Sequence, residues 1–328
     1  MKAVYIREFG GPENLELREV DDPSKPKGTE ILIRVKAAGL NRADILQVQG
    51  LYPPPAGYSP DIPGMEFAGE IVEKGPDAIT FSIGNRVFGI TAGEAQAELL
   101  TVDESVVAKI PDNLSYTEAA AIPEVFITAH DAIFTQADLQ AGEAILIHAV
   151  GSGVGLAALQ LAKAKGCRTF GTSRTKDKLD KCAEFDLDVP ILVNKDAKFS
   201  ETIKVETSGE GVNVILDLVG GSYFAENLSS IAVKGRLMLV GLTGGRSAQF
   251  ELGSALYKRI TIKGTVLRGR SIAEKAEAVK AFAADVVPLL ENGQIRPNLD
   301  KTFSADKACD AYKYLASNES FGKVVLEF

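Results

Sequence analysis

The stretch LIHAVGSGVGLAALQLAKAKG, residues 146–166, constrains the fold more strongly than any other part of the sequence. An apolar strand pattern leads directly into a glycine-rich turn, and a helical pattern follows the turn. Gly153, Gly155 and Ala158 match the spacing G-x-G-x-x-A, in which the backbone approaches a pyrophosphate and the helix start binds its charge. In this context the stretch predicts dinucleotide binding. The alternative is a tight turn kept small for packing alone.

Strand and helix patterns alternate around this turn. Near-continuous apolar strands separated by helices indicate a parallel sheet covered on both faces, so we predict a doubly wound α/β domain over residues 124–268. Its six predicted strands are residues 144–149, 168–173, 189–194, 212–220, 235–241 and 260–267.

Residues 1–123 predict a separate, β-rich domain. Short alternating patterns punctuated by Gly and Pro are typical of a partly open barrel. The proline-rich segment 51–64 is predicted to be a loop, and Ser115 with Glu118 fits a capping box at a helix start. The β patterns lie at residues 31–39, 67–75, 85–90 and 97–102.

The C-terminal segment, residues 269–328, is predicted to rejoin the β-rich domain. Two helical patterns, at 272–290 and 305–317, precede a final strand pattern, GKVVLEF. This strand needs a partner, and the six-stranded sheet is already complete without it. The α/β domain is therefore expected to be an insertion, with the ligand site in the cleft between the two domains.

The composition excludes several function classes. A formal net charge of -8 argues against general affinity for nucleic acid or anionic membranes. No stretch approaches the roughly 18 continuous apolar residues of a membrane span. Because a strand pattern begins directly after Met1, we expect a cytoplasmic protein without a cleaved signal. The 3 cysteines form no Cys-x-x-Cys pair and only 2 histidines are present, which argues against a disulfide framework or a zinc cage.

The residues after the second strand of the α/β domain favour a phosphorylated dinucleotide. An NAD site carries an acid about 20 residues beyond the glycines. Here Ser173 and Arg174 occupy that position, and Lys178 follows one turn later. A carboxylate would repel a 2′-phosphate, whereas a hydroxyl, Arg and Lys bind it, so NADPH is the predicted cofactor. The alternative is that Arg174 and Lys178 form an ordinary solvated helix start.

Few individual side chains suit acid, base or nucleophile chemistry. Tyr52 lies in the predicted loop, where its hydroxyl can donate to a carbonyl oxygen; packing against the prolines is the alternative. His148 lies within a predicted strand and is interpreted as a hydrogen-bonded core histidine, and Asp44 as a structural acceptor. Cys167 has no base nearby in the sequence, so a catalytic thiolate is not expected.

Longer segments identify a family resemblance. AAGLNRADILQVQGLYPPP, IPGMEFAGEIVEKG, LIHAVGSGVG and GVNVILDLVGGSY resemble the zinc-independent quinone oxidoreductases of the medium-chain dehydrogenase/reductase superfamily, closest to the p53-inducible quinone oxidoreductase branch. The resemblance covers essentially the whole chain. It implies a GroES-like barrel with an inserted Rossmann domain, and metal-free hydride transfer from NADPH to quinones or related electrophilic carbonyl compounds.

The resemblance leaves several points open. An enoyl reductase acting on activated C=C bonds shares the architecture, and so does a non-catalytic, crystallin-like NADPH-binding protein. Relatives form homodimers or tetramers. We expect a homodimer, because the apolar strand pattern 260–267 at the sheet edge invites pairing with a second copy.

The resemblance also implies site residues. Asn41 and Tyr52 would line the nicotinamide and substrate cleft as the catalytic candidates, and Asn194 stands near the adenosine phosphate where the branch usually has tyrosine, with Lys195 beside it. With the residues argued above, the predicted cofactor-binding set is Asn41, Tyr52, Thr128, Gly151, Ser152, Gly153, Val154, Gly155, Ser173, Arg174, Lys178, Asn194, Gly241, Leu242 and Arg268.

The motif DIPGMEFAGEIV, residues 61–72, bears on metal binding. In the zinc-dependent alcohol dehydrogenases of this superfamily a histidine ligand stands where Met65 stands here, and a cysteine ligand falls within the region of residues 39–41. Methionine is a soft and weak ligand for zinc, so we predict no metal and an activity that survives a chelator. Glu66 is then expected to bond the backbone or to pair with a nearby base.

Overall fold

A computed structural model describes residues 1–194 and 196–328. The strands are β1 (Lys2–Ile6), β2 (Leu15–Glu19), β3 (Glu30–Gly39), β4 (Glu66–Lys74), β5 (Arg86–Ile90), β6 (Leu99–Asp103), β7 (Val107–Lys109), β8 (Ala144–Ile147), β9 (Arg168–Ser173), β10 (Val189–Leu192), β11 (Val212–Asp217), β12 (Ile231–Leu239), β13 (Thr261–Gly264), β14 (Leu299–Ser304) and β15 (Lys323–Glu327). The α-helices are α1 (Arg42–Val48), α2 (Tyr116–Ala120), α3 (Pro123–His130), α4 (Gly153–Ala164), α5 (Lys176–Cys182), α6 (Ser200–Glu206), α7 (Phe224–Ser230), α8 (Leu252–Lys258), α9 (Ile272–Asp285), α10 (Val287–Glu291) and α11 (Ala308–Ser317).

The chain folds into two compact units. The first comprises Met1–Ile127 together with Leu267–Phe328, and the second comprises Thr128–Val266. The divisions predicted from the sequence lie at residues 123/124 and 268/269. The second unit is therefore continuous in sequence, whereas the first is built from two separate segments.

The first unit contains a seven-stranded sheet in the order β14-β15-β3-β4-β5-β7, with β6 also pairing with β3. β15 pairs antiparallel with β3, so that Val325 lies opposite Gly39. The terminal strand thus returns to this unit, as the sequence predicts. Alternation along β3 buries Ile31, Ile33 and Val35, which is the period-2 pattern that identified this strand.

Two strands of the first unit, β2 and β14, were not predicted. β2 pairs antiparallel with β1, the strand pattern that begins after Met1, and β14 pairs in parallel with β15. β14 reads LDKTFS and alternates poorly between buried and exposed positions, so its sequence carries no strand periodicity. The loop over residues 51–64 has no helix or strand, as predicted, and the Ser115–Glu118 capping box is present at the start of α2.

The second unit contains the predicted six-stranded parallel sheet, in the order β10-β9-β8-β11-β12-β13. Its core is formed by apolar side chains such as Leu146, Phe170 and Ile215. The strand order reverses between β8 and β11, and ligands of doubly wound sheets bind at the carboxyl ends of the strands beside such a reversal. α4 follows β8 at this point, and Gly166 follows α4 with a φ of 79°.

Several element boundaries differ from prediction. The long helix expected over residues 272–290 is divided into α9 and α10, because Pro288 lies in the first turn of α10 and cannot donate to a continuing helix. β13 is shorter than the predicted strand and covers only Thr261–Gly264. β12 begins at Ile231, ahead of the predicted residue 235.

Candidate functional site

The glycine-rich turn between β8 and α4 is shaped for close approach of a ligand. Ser152 caps α4, and its hydroxyl accepts a hydrogen bond from the Gly155 N–H at 3.2 Å. A Cβ at Gly155 would lie 2.5 Å from the carbonyl oxygen of Ala149, so a side chain does not fit there. The start of this 12-residue helix therefore presents backbone N–H groups on a turn that only glycine can make.

The other predicted cofactor residues of the second unit lie at the carboxyl ends of its strands. Ser173 ends β9, is buried, and accepts a hydrogen bond from Thr175 N–H at 3.2 Å. Gly241 lies beyond the end of β12, and its N–H donates to the Asp217 carbonyl at 3.1 Å. Because the strands are parallel, these residues and the turn over residues 151–155 share one edge of the sheet.

Further predicted residues occupy partly open positions. Arg174 is exposed directly after β9, and Lys178 is partly buried on α5. Leu242 and Asn194 are exposed, and Thr128 is partly buried on α3. The cofactor roles of these side chains stay predictions. Lys195 lies outside the residues that the structure describes.

A buried ion pair lies in the first unit. Lys323 Nζ lies 2.5 Å from Glu66 Oε1, and Glu66 is fully buried. The carboxylate also accepts a hydrogen bond from Asn41 Nδ2 at 2.8 Å and one from the Glu124 N–H at 2.8 Å. A Cβ at Gly39 would overlap the Glu66 carboxylate, so glycine leaves room for it. The prediction that Glu66 bonds the backbone or pairs with a base is confirmed.

Asn41 is engaged by both members of this ion pair. Its Oδ1 accepts a hydrogen bond from Lys323 Nζ at 2.8 Å, while its Nδ2 donates to Glu66. Its backbone N–H donates to Asp44 Oδ2 at 2.7 Å at the start of α1. The side chain therefore orients the Glu66–Lys323 pair, and its predicted catalytic and cofactor-binding roles stay predictions.

Arg268 holds the loop that carries Tyr52. Its guanidinium donates to the carbonyl of Ala92 at 2.8 Å, to the carbonyl of Tyr52 at 3.0 Å and to Gln47 Oε1. The guanidinium carbon lies 5.0 Å from the centroid of the Tyr52 ring, within cation–π distance. This buried side chain thus fixes both the backbone and the ring of Tyr52, and its own predicted cofactor contact stays a prediction.

The Tyr52 hydroxyl is suited to donate a proton or a hydrogen bond. Among the described residues it makes no hydrogen bond, and the ring is partly buried. Burial raises the pKa of Tyr52, and the negative charge of Glu124 adds to this while Arg268 opposes it. The phenol therefore stays protonated at neutral pH.

Asp44 acts as a structural acceptor, as predicted. Besides the Asn41 N–H, its carboxylate accepts a hydrogen bond from Gly64 N–H at 3.2 Å. Burial raises the pKa of Asp44 to about 6, although Arg268 and Lys323 oppose the shift. The group ties the start of α1 to the proline-rich loop.

His148 is the hydrogen-bonded core histidine that the sequence predicts. Its Nδ1 lies 2.9 Å from Thr172 Oγ1, and its Nε2 lies 2.6 Å from Asn227 Oδ1. Asn227 in turn donates to Asp217 at 2.9 Å, so its oxygen faces the ring and Nε2 carries the proton. Burial lowers the pKa of His148, which keeps the ring neutral.

Met65, which stands where a histidine ligand would be needed for a metal, is buried. Among residues 1–194 and 196–328, no group of three or more His, Cys, Asp or Glu side chains is arranged to hold a metal ion. Glu66, the acid of the same motif, forms an ion pair with Lys323 and accepts a hydrogen bond from Asn41.

In the described part of the chain, no helix combines the length and hydrophobicity needed to cross a bilayer.

Three charged residues of the first unit are not predicted by the sequence. Glu124, Lys275 and Lys323 are each buried or partly buried, alongside Asp44, Glu66 and Arg268. Their signal in the sequence is weak, since Glu124 and Lys323 adjoin apolar residues in a helix and a strand, and Lys275 is one of several charges on α9. Lys323 is the second residue of the terminal GKVVLEF strand, which alone gives no reason to expect an inward-facing cation.

Comparison with known families and proteins finds dehydrogenase families and quinone oxidoreductase relatives. The alcohol dehydrogenase GroES-like domain family matches residues 27–112, and the zinc-binding dehydrogenase family matches residues 153–285. Quinone oxidoreductase-like protein 2 of Mus musculus is 31% identical over 99% of this chain and 91% of its own length. Quinone oxidoreductase of Homo sapiens is 29% identical over 99% of this chain and 97% of its own length.

Solved structures match the whole chain. A Pseudomonas syringae pv. Tomato DC3000 quinone oxidoreductase is 27% identical with a TM-score of 0.88, covering 100% of this chain and 99% of that one. A mycobacterial protein complexed with NADPH is 27% identical with a TM-score of 0.89, covering 100% of both chains. The CurK enoyl reductase is 25% identical with a TM-score of 0.87, covering 99% of this chain and 98% of that one.

Replacing Lys323 by Met is expected to destabilise the first unit strongly. The change leaves the Glu66 carboxylate buried without its cation, which costs about 3 kcal/mol or more of unfolding free energy. Urea denaturation followed by circular dichroism measures the loss. The double variant Lys323→Met, Glu66→Gln is expected to recover most of it, because no uncompensated charge remains.

Lys163→Met is the matched control for this prediction. Lys163 pairs with Asp188 at 2.8 Å, but the two side chains are 27% and 34% exposed. A pair in such contact with solvent contributes about 1 kcal/mol or less. Equal losses for Lys163→Met and Lys323→Met would contradict the proposed importance of the buried pair.

Proposed function

Because the chain belongs to the medium-chain dehydrogenase/reductase superfamily, with quinone oxidoreductase-like relatives along its full length, we propose that it is an NADPH-dependent quinone oxidoreductase. The observation that carries the proposal is the arrangement around Glu66. Its carboxylate is neutralised by Lys323, and Met65 offers only a weak metal ligand beside it. Such a site suits an acceptor that takes a hydride without activation of its carbonyl group by a strong electrophile such as a metal ion. A quinone is such an acceptor.

The residues of the second unit fit a dinucleotide. The N–H groups at the start of α4 would bind the pyrophosphate on the turn that Gly155 keeps open. Arg174, exposed after β9, would bind the 2′-phosphate that distinguishes NADPH from NADH. When bound, NADPH supplies the hydride. The likeness to a protein whose structure contains NADPH supports this choice of cofactor.

Tyr52 would orient the substrate. Its hydroxyl has no partner among the described residues, its ring is fixed by Arg268, and its raised pKa keeps it a donor. A phenol in this state donates a hydrogen bond to a quinone oxygen and stabilises the negative charge that develops there.

A cytoplasmic location stays a prediction from the sequence.

An enoyl reductase is the second candidate. The likeness to the CurK enoyl reductase favours it, since the same phenol would donate to the carbonyl oxygen of a thioester. A crystallin-like protein that binds NADPH without oxidising it is the third candidate.

A substrate comparison tests the proposed function. NADPH oxidation is expected with 1,4-benzoquinone, at a rate that a chelator leaves unchanged, and is measured by the loss of NADPH absorbance. Turnover with a crotonyl thioester but not with the quinone would contradict the proposal in favour of an enoyl reductase. Tight NADPH binding without turnover of either substrate would favour the crystallin-like alternative.

Arg174→Ala is expected to weaken the binding of NADPH but not that of NADH. Loss of a charge-assisted hydrogen bond to the 2′-phosphate raises KM for NADPH by roughly 10- to 100-fold and leaves KM for NADH unchanged. Steady-state kinetics with both cofactors measure the effect. Lys280→Ala, an exposed cation on α9, is the matched control and is expected to change neither value. Equal effects on both cofactors would contradict the role of Arg174.

We further propose that the second unit pairs with a second copy of the chain. β13 lies at the edge of the described sheet, and nearby α8 buries none of its residues. Leu252, Leu256 and Tyr257 on α8 are 73%, 71% and 81% exposed. Exposed large apolar side chains on α8 and an edge strand in the same unit suit a self-complementary, two-fold interface.

Light scattering coupled to size exclusion is expected to give a dimer mass. Tyr257→Glu introduces a charge into the apolar surface of α8 and is expected to yield monomers. Ile79→Glu is the control, because Ile79 is 85% exposed but lies in the first unit. A monomeric wild-type protein would refute the interface.

A further inference from the structure

Four buried polar side chains of the second unit form one hydrogen-bonded series, which we call the polar chain. Its members are Thr172 on β9, His148 directly after β8, Asn227 on α7 and Asp217 at the end of β11, and all four are fully buried. Replacing hydrogen-bonded partners by apolar groups of the same shape is often neutral for stability. Stability alone therefore does not account for the polar chain.

The polar chain runs in one direction. The Thr172 hydroxyl lies 2.9 Å from His148 Nδ1, and His148 Nε2 lies 2.6 Å from Asn227 Oδ1. Asn227 Nδ2 donates to Asp217 Oδ2 at 2.9 Å. Because the carboxylate at the end only accepts, each earlier member donates towards it, and the imidazole accepts from the Thr172 hydroxyl through Nδ1. Each side chain thus has one orientation, which fixes the four positions relative to one another.

One end of the polar chain holds the entry to the glycine-rich turn. Thr172 binds on both sides of Ala149, since its hydroxyl binds the His148 ring and its carbonyl accepts a hydrogen bond from the Val150 N–H at 3.0 Å. Ala149 has a φ of 49°, a left-handed conformation that is strained for a residue with a side chain. Such strain persists only where the surrounding structure holds it. The Ala149 carbonyl accepts a hydrogen bond from the Ser152 N–H at 2.9 Å, so this residue sets where the turn begins.

The other end of the polar chain holds two further loops at the same edge of the sheet. Asp217 Oδ1 accepts hydrogen bonds from the N–H groups of Val219 and Gly220, both at 2.8 Å. The Asp217 carbonyl accepts hydrogen bonds from the N–H groups of Val240 at 2.9 Å and Gly241 at 3.1 Å. Asp217 therefore ties the loop after β11 to the loop after β12.

We propose that Thr172, His148, Asn227 and Asp217 are positioning residues of the dinucleotide site, which hold the turn over residues 149–155 and the loops after β11 and β12 in the geometry that binds the cofactor. This inference rests on the proposed NADPH-dependent function and assigns a role in it to buried side chains. The pyrophosphate is common to NADPH and NADH, so the polar chain serves both cofactors equally. Arg174 differs, because its proposed partner is the 2′-phosphate of NADPH alone.

The physical gain is a turn that is ordered before the cofactor arrives. Backbone N–H groups bind a pyrophosphate most strongly when they already point at it. If the backbone relaxes at Ala149, the strained conformation has to be restored on binding, and the free energy of that step is lost from the affinity. Loops that are held by the polar chain avoid this loss.

Thr172→Val tests the positioning. The change keeps the shape of the side chain and removes the hydroxyl that binds His148. The Kd for NADPH and the Kd for NADH are each expected to rise by about 10-fold, which corresponds to about 1.4 kcal/mol. Thr172→Ser keeps the hydroxyl and is expected to restore both values. Isothermal titration calorimetry measures the four variant and cofactor combinations.

Thr169→Val is the matched control. Thr169 lies near the opposite end of β9, is equally buried, and its hydroxyl donates to Asp188 Oδ2 at 2.9 Å. The control also loses a buried hydrogen bond but is expected to keep the wild-type Kd for both cofactors. Equal Kd values for Thr169→Val and Thr172→Val would overturn the inference. A rise for NADPH alone would overturn it too, since the effect would then concern the 2′-phosphate and not the turn.

His148→Phe is a second variant of the polar chain. The His148 ring lies 5.0 Å from the Phe199 ring and 4.8 Å from the Tyr223 ring, centroid to centroid, and phenylalanine can keep these contacts. The variant removes both hydrogen bonds of the ring and is expected to raise both Kd values at least as much as Thr172→Val. Wild-type affinity of a folded His148→Phe protein would contradict the inference.

Hydrogen–deuterium exchange tests the positioning without any cofactor. Peptides that cover residues 149–155 are expected to exchange faster in Thr172→Val than in the wild type. Asn227→Leu interrupts the polar chain at its centre and is expected to speed exchange both there and in peptides that cover residues 218–221. Thr169→Val is expected to exchange like the wild type in both regions.

The two measurements separate the inference from the proposed function. Wild-type exchange in both Thr172→Val and Asn227→Leu would overturn the inference, whether or not the protein binds NADPH. A wild-type protein that binds neither cofactor would instead overturn the proposed function, and the exchange rates would still show whether the polar chain holds the turn.

Discussion

The buried contact between Glu66 and Lys323 organises the first unit. It joins the first residue of β4 to the first residue of β15. The Asn41 side chain and the Glu124 N–H donate further hydrogen bonds to the same carboxylate. An uncompensated carboxylate at this depth is costly, so the elements that carry these groups have to arrive together. The start of α1, the start of α3 and the terminal strand are thereby positioned by one acid.

Further charged groups of the first unit interact electrostatically around this contact. They include the acids Asp44 and Glu124 and the bases Arg268 and Lys275. Glu66 and Asp44 have strong partners, whereas the side chains of Glu124 and Lys275 have none within hydrogen-bonding distance among the described residues. Burial raises the pKa of Glu124 to about 8, and the negative charges of Glu66 and Asp44 add to this shift. The acids that are fixed by partners thus influence the ionisation of the acid that is not.

The sequence predicts the parts of this protein whose signals are local. The glycine-rich turn, the six parallel strands, the Ser115 capping box and the irregular proline-rich loop depend on residues that are close in the chain, and all are present in the structure. Glu66 was recognisable as an acid in need of a partner because its neighbours are small and apolar. That partner was not recognisable, since Lys323 belongs to a strand at the opposite end of the sequence. The same limit applies to Glu124 and Lys275, because their burial arises only when α3 and α9 pack into the first unit.

The division of the first unit between the two ends of the chain affects how the protein is made. The continuous segment Thr128–Val266 contains its whole sheet, so it can fold while the remainder is still being synthesised. The N-terminal strands cannot complete their core until β15 has left the ribosome, because Lys323 is the cation that Glu66 requires. Until then, nascent chains carry an unpaired acid and lack the β15 partner of β3, so the sheet of the first unit is completed after that of the second.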